Sequence, residues 1–171
     1  MWGAPGPAGC PLRLETRDVR RSLLRACGLA WLIVLCGVPP AGAVDINPPL
    51  PTGSLLIANR VRVEVELART LEEKVRGLSG RPALKSGHGM LFVYDRPEPV
   101  SIWMKDMRFP LDIVWIRGGR IVHIEKRAPP LLPSGPEQIY TAIADLVLEV
   151  PAGFSARQQI RVGDPVQATL P

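Results

Sequence analysis

Residues Gly87 to Glu125 read GHGMLFVYDRPEPVSIWMKDMRFPLDIVWIRGGRIVHIE, and in their second half Leu111–Ile116 and Ile121–Lys126 flank Arg117-Gly118-Gly119-Arg120. Two glycines between apolar runs predict a tight β-hairpin, because the favoured two-residue turns need positive φ at their central positions. With Gly118-Gly119 as the turn, Ile116 is expected opposite Ile121, Val114 opposite His123, and Asp112 opposite Glu125. Leu111, Ile113 and Trp115 then share the other face with Val122, Ile124 and Lys126; that face is almost wholly apolar and is expected in the core. The polar trio Asp112, His123 and Glu125 holds only in this register, since a slip of one residue moves every side chain to the opposite face.

Outward from the hairpin, the chain continues in short strands. Met90–Tyr94 (MLFVY) is an unbroken apolar run, expected to be buried on both faces. Asp95-Arg96-Pro97-Glu98-Pro99 is expected to turn, Val100–Met104 to be a further strand, and Pro110 to end the regular structure before the hairpin. Upstream, Val61–Leu67 (VRVEVEL) alternates strictly and predicts a strand with one buried face. Thr70-Leu71-Glu72-Glu73 then has the spacing of a capping box, so a short helix should start there and end at Gly77 or Gly80, before Pro82. Downstream, Asp145–Val150 reads as a strand, Phe154–Gln159 as about one helical turn, and Val166–Leu170 as a last strand. Many short strands, turn signals between them and two short helices predict a mostly-β single domain, a sandwich or a partly closed barrel.

The amino-terminal quarter has a different character. Arg13, Arg17, Arg20, Arg21 and Arg25 precede the apolar run Ala26–Val38, and Ala41-Gly42-Ala43 follows it. This is the pattern of a signal peptide cleaved after Ala43, giving residues 1–43 as leader, 44–54 as a proline-rich linker and 55–171 as the β-rich domain. The apolar run is shorter than the roughly 20 residues of a membrane-spanning helix, so no permanent transmembrane helix is expected after cleavage. The alternatives are an uncleaved anchor tethering the domain to the membrane and a downstream translation start. Leu35 before Cys36 argues against lipidation. The expected location is the periplasm or the exterior.

Cys10, Cys27 and Cys36 all lie in the leader. The exported chain then has no thiol for disulfides, catalysis or metal ligation. Of the net charge of +5, the leader carries +3, and no basic stripe with interleaved aromatics remains beyond it. Nucleic-acid binding therefore has little support.

Trp103-Met104-Lys105-Asp106 with Pro110-Leu111-Asp112, Glu73 with Gly77, Leu78 and Arg81, and Val147–Gly153 together resemble the signature of domain of unknown function family 192, a bacterial and archaeal family. The resemblance spans roughly Val61 to Val166 and implies no reaction. The chain departs from it at one place: where the family commonly reads Trp-Met-Lys-Asn-Thr, this chain has Asp106-Met107.

Candidate site residues follow from charges set in apolar surroundings. Asp112 needs a cation or several amide donors if buried, and Lys105 is its nearest candidate partner. The pair either pins the Asp106–Pro110 turn or lines a ligand pocket with Trp103, Asp106 and His88. Trp103 shares a strand side with Ser101 and Lys105; it is either a stacking platform for a glycan or another flat ligand or simply a core residue. Arg81 is either a cation facing a ligand or a complement to the helix dipole, the latter being favoured. No cofactor motif is present. Asp112, His123 and Glu125 offer ligand types for a metal or for acid–base hydrolysis, but no HExxH or serine-elbow motif accompanies them. The sequence thus supports a small exported ligand-binding or cell-envelope accessory module, with a hydrolase or a protein-partner module as alternatives. The long loop Ala128–Pro136 fits either a functional cover or a simple connection.

Overall fold

The computed structural model describes residues 49–131 and 138–171. The leader, most of the linker and residues 132–137 of the proline-rich loop lie outside the described residues. Seven strands and two short helices follow in the order β1 (Thr52–Ile57), β2 (Val61–Ala68), α1 (Leu71–Arg76), β3 (His88–Trp103), β4 (Leu111–Arg117), β5 (Arg120–Ala128), β6 (Ile139–Pro151), α2 (Phe154–Arg157) and β7 (Val166–Thr169). They form one curled sheet, a half-barrel with the order β5-β4-β6-β3-β2-β1-β7. Of the two architectures expected from sequence, the partly closed barrel is the one found.

The alternating pattern of β2 explains the inside of the curl. Val61, Val63, Val65 and Leu67 all point into a core with Leu55, Ile57, Leu91, Val114, Ile116, Leu148 and Val150. β2 and β3 run parallel, the one parallel pair in the sheet order, and a parallel pair needs a crossover; α1 supplies it. The two outermost strands also meet at one corner. Arg120 bridges Pro165, the Val166 amide donates to Gly119 O at 2.8 Å, and the Ile121 amide donates to Asp164 O at 3.1 Å. That corner is why the sheet is curled rather than open.

The outer face of the sheet carries a second core, and the length of β3 and β6 accounts for it. The sequence expectation of a turn at Asp95–Pro99 is not met: β3 runs on to Trp103, with a shift of register between Val93 and Glu98, the interval that holds Pro97. Its second half pairs with the first half of β6, residues 139–144, a segment not expected to be strand. This two-stranded arm packs Val100, Ile102 and Ala144 with Ile113, Trp115, Phe92 and Met90. The Trp115 indole N–H donates to Val100 O at 3.1 Å, which ties β4 to the arm. β4 is therefore covered on both faces, and six of its seven residues are buried.

Two further differences concern boundaries and register. β1 begins at Thr52, inside the expected linker, because its Leu55 and Ile57 are core residues and it pairs with both β2 and β7. In the β4–β5 hairpin Gly118-Gly119 does make the turn, with Ile116 opposite Ile121. The register then shifts by one residue between Trp115 and Ile116, so Trp115 faces His123, Val114 faces Ile124 and Ile113 faces Glu125. An extra residue on β5 lets Val122 and Ile124 both pack against apolar neighbours.

Candidate functional site

The local sequence at Thr70 builds one wall of a recess. Thr70 caps α1: its hydroxyl accepts from the Glu73 amide at 3.2 Å, and Glu73 Oε2 accepts the amides of Thr70 and Arg69 at 2.8 Å each. These backbone donors hold the Glu73 carboxyl below the usual carboxylate range. The helix ends at Gly77, whose amide donates to Glu73 O at 2.8 Å, and the chain passes over the outer core through buried Leu78. The segment after β3 is fastened beside it: Ser79 Oγ donates to Lys105 O at 3.2 Å and the Gly80 amide donates to Asp106 O at 2.9 Å.

Between α1 and the end of β3 lies a small cavity of about 40 Å³, lined by Lys74 to Ser79, Phe92, Ile102, Trp103, Met107 and Glu149. This exceeds the roughly 10–15 Å³ that one water needs. Most of the lining is apolar. Its polar members are Lys74, Arg76, Ser79 and Glu149; Glu149 sits on β6 between Met90 and Ile113, is only 4% exposed, and accepts no hydrogen bond from the described residues, although the fully enclosed atoms without a partner are others, Arg81 Nε, Asp145 Oδ1 and Ser155 Oγ. Burial alone pushes the Glu149 carboxyl up to about 8, so it is protonated at neutral pH. A buried polar group without a partner is costly, and such groups collect at binding and catalytic sites.

Trp103 stands at the rim. Burial alternates through Ser101, Ile102, Trp103, Met104 and Lys105, with Ile102 and Met104 inside, as the strand pattern predicts. Trp103 is 43% exposed and pairs across the arm with Ile139; next to them the Ser101 and Thr141 hydroxyls are hydrogen-bonded at 2.8 Å. Two other cations of the recess are already engaged. Lys74 Nζ lies 3.9 Å from the centre of the Tyr94 ring, and Arg76 pairs with Glu72 at 2.6 Å. Burial, then Glu98 and Glu149, raise the Tyr94 hydroxyl above its ordinary range.

The remaining sequence candidates are dispersed. Asp112 is fully buried, but not against Lys105: its Oδ1 accepts the amides of Arg127 and Gly153 at 2.9 Å each, and its Oδ2 accepts the Ser155 amide at 2.8 Å. Amide donors, not an ion pair, satisfy it, and they join the end of β5 to the start of α2 rather than pinning the Asp106–Pro110 turn. Lys105 is exposed and takes part through its carbonyl. Asp106 has φ 57°, a left-handed conformation in which Asn and Asp are the tolerated side-chain residues, so its exchange with the family's Asn preserves the backbone. His88 lines a different, open groove with Leu50, Glu66 and Arg81. Arg81 lines the same groove, and its guanidinium makes a two-pronged pair with Glu66 at 2.5 and 2.7 Å.

The expected Asp112, His123 and Glu125 cluster is not assembled. The register shift turns His123 toward Trp115, with ring centres 5.2 Å apart, and among the described residues no group of three metal-ligating side chains converges. Sequence reasoning missed Glu149. Its one signal was a carboxylate in the apolar run Leu146–Val150.

A curled β-sheet with a recess at one end, floored by a lone carboxyl, defines the class: a small β-domain with a candidate binding pocket. The sequence profile of domain of unknown function family 192, described as an uncharacterised ACR, matches residues 55–168, and the chain belongs to that family. Two solved structures are similar. One is a candidate transcription regulator from Sinorhizobium meliloti 1021, 28% identical, with a TM-score of 0.65 over 71% of this chain and 97% of that one. The other is a protein of unknown function from Novosphingobium aromaticivorans, 30% identical, with a TM-score of 0.65 over 73% of this chain and 91% of that one. No curated protein matches the chain.

Proposed function

We propose that this protein is an exported ligand-binding domain and that the recess between α1 and β3 is its site. The observation that carries the reading is Glu149: a carboxyl buried among apolar neighbours, with no hydrogen bond from the described residues, lining a cavity whose rim is an exposed tryptophan. Folding alone gives no reason for a carboxyl there, since an apolar residue of similar volume would be more stable. A ligand that hydrogen-bonds to it would recover that cost on binding. Export rests on the leader pattern of residues 1–43, and among the described residues no helix is long and apolar enough to cross a membrane.

The test is a panel of glycans, cell-envelope precursors, small amines and divalent metals, read by thermal shift and by tryptophan fluorescence. A ligand of the recess should lose its effect in both Trp103→Ala and Glu149→Gln. If ligands stabilise the native protein and both variants equally, the recess is not the site. For export, the native protein should begin at Val44; full-length protein in the cytosol would reject it.

A second reading is supported by the outer face of the arm. Trp103, Ile139 and Ile143 are exposed there around the Ser101–Thr141 hydroxyl pair, an arrangement of apolar surface and hydroxyls suited to a sugar face. Ile143→Ser should weaken glycan binding on this face and leave ligands of the recess untouched.

A further inference from the structure

We infer that the recess receives the end of an aliphatic amine, a primary ammonium on a narrow alkyl stem, with Glu149 as its counter-ion. This rests on the ligand-binding reading above and specifies the ligand class.

Size, lining and charge agree on this class. The cavity holds the equivalent of a few waters, which suits an ammonium and one or two methylenes and is too small for a pyranose ring. Val75, Leu78, Phe92, Ile102 and Met107 offer the stem apolar walls. At the floor is a carboxyl, and beside it is the carboxyl-terminal end of α1. Among the described residues, the carbonyls of Lys74 and Val75 in that last turn accept no hydrogen bond. Such end-of-helix carbonyls are acceptors in need of donors, and an ammonium has three. The protein's own cations do not fill this role, because Lys74 lies over Tyr94 and Arg76 is held by Glu72.

The charged and titratable groups around Glu149 are therefore Lys74 and Arg76 from α1 and Tyr94 from β3; its strand neighbours Met90 and Ile113 are apolar. In the empty protein the Glu149 carboxyl is neutral at pH 7. An entering ammonium favours the carboxylate, so the carboxyl proton passes to solvent as the ion pair forms. Affinity should rise as the pH increases from 6 to 8, and then level off.

The experiment is calorimetric titration of the full chain with n-butylammonium chloride at pH 7, in two buffers of different ionisation enthalpy. n-Butanol serves as the uncharged analogue and Nα-acetyl-lysine amide as the mimic of a lysine in a partner protein. The expected result is binding of n-butylammonium with release of nearly one proton, at least tenfold weaker binding of n-butanol, and at least tenfold weaker amine binding by Glu149→Gln. Equal or tighter binding of the lysine mimic assigns the amine to a protein side chain; much weaker binding assigns it to a free amine. The inference is overturned if n-butanol binds as well as the amine, or if Glu149→Gln keeps amine affinity within twofold while its melting temperature matches that of the native protein. Binding of a neutral ligand that still requires Glu149 and Trp103 would overturn the amine class and leave the site standing. If neither amines nor the wider panel bind, both readings fall.

Discussion

The carboxylate of Asp112 on β4 and the amide of Ser155 on α2, 43 residues apart in the chain, meet at 2.8 Å in a fully buried position. With the Gly153 and Arg127 amides on its other oxygen, Asp112 ties the end of β5 and the start of α2 to β4. A buried carboxylate is tolerated there because three donors replace its water shell. Asp112→Ala leaves those amides unsatisfied and should cost about 3 kcal/mol or more, with Asp112→Asn intermediate. Urea unfolding measures this. Asp112→Asn should bind recess ligands normally; a loss of binding without loss of fold would move Asp112 into the site.

Glu149 should set a pH dependence of the opposite kind to the usual carboxylate. Its folded pKa of about 8 lies above the ordinary carboxylate value of 4.5, so the folded state holds a proton that the unfolded state releases. The contribution to stability is complete below pH 4.5, declines as the pH rises, and is lost by pH 8. The total is on the order of 5 kcal/mol by the conversion of pKa shift to free energy. Glu149→Gln should flatten the curve across that window and be more stable than the native protein at pH 8.5. An unchanged slope in the variant would show that another group is responsible.

Gly89 on β3 is a position of close approach. A Cβ there would lie 2.7 Å from the carbonyl oxygen of Glu149 and 2.9 Å from Leu148 Cδ1, and a backbone oxygen within a ladder cannot swing away. Gly89→Ala should destabilise the protein by about 1–3 kcal/mol, as overpacking does. It should also shift the Glu149 strand, weakening ligand binding more than the stability loss explains. A variant with native stability and affinity would mean the sheet adapts freely.

The Arg81–Glu66 pair is partly buried, and the buried Arg81 Nε has no partner, so it depends on Glu66 for its balance. The Glu66 hydrogen bond raises the Arg81 pKa above its ordinary value. Glu66→Met alone should cost about 1–2 kcal/mol, because it strands a half-buried guanidinium, whereas Glu66→Met with Arg81→Met should recover much of that loss. A double-mutant cycle by chemical denaturation tests the coupling. Purely additive losses would make the pair a surface ornament of little energetic weight.

Much of the fold was legible wherever a short-range pattern had one solution. The alternation at Val61–Leu67 could bury only one face, the Thr70–Glu73 spacing could cap only one helix start, and Gly118-Gly119 could turn only between Ile116 and Ile121. Legibility failed where two long segments decide each other. Asp95–Pro99 has the residues of a turn, but pairing with residues 139–144 carries the strand through it. The candidate site was legible only at Trp103. Its other half, Glu149, lay in a segment read only as a strand, because nothing local shows what packs over it, and the cluster expected at Asp112, His123 and Glu125 vanished with one extra residue on β5.

By itself, the sequence determined the class of fold, the capped helix, the hairpin turn, the family signature and a leader pattern that predicts export. These depend on neighbours within a few residues, where backbone geometry leaves few choices. Only the tertiary structure decided that the sheet curls, that an arm of β3 and β6 covers its outer face, and that Asp112 is satisfied by amides. Above all, it decided that Glu149 lines a small, largely apolar recess. Whether a carboxylate meets water or a cavity depends on what packs above it, and here that cover comes from α1, more than 70 residues earlier in the chain.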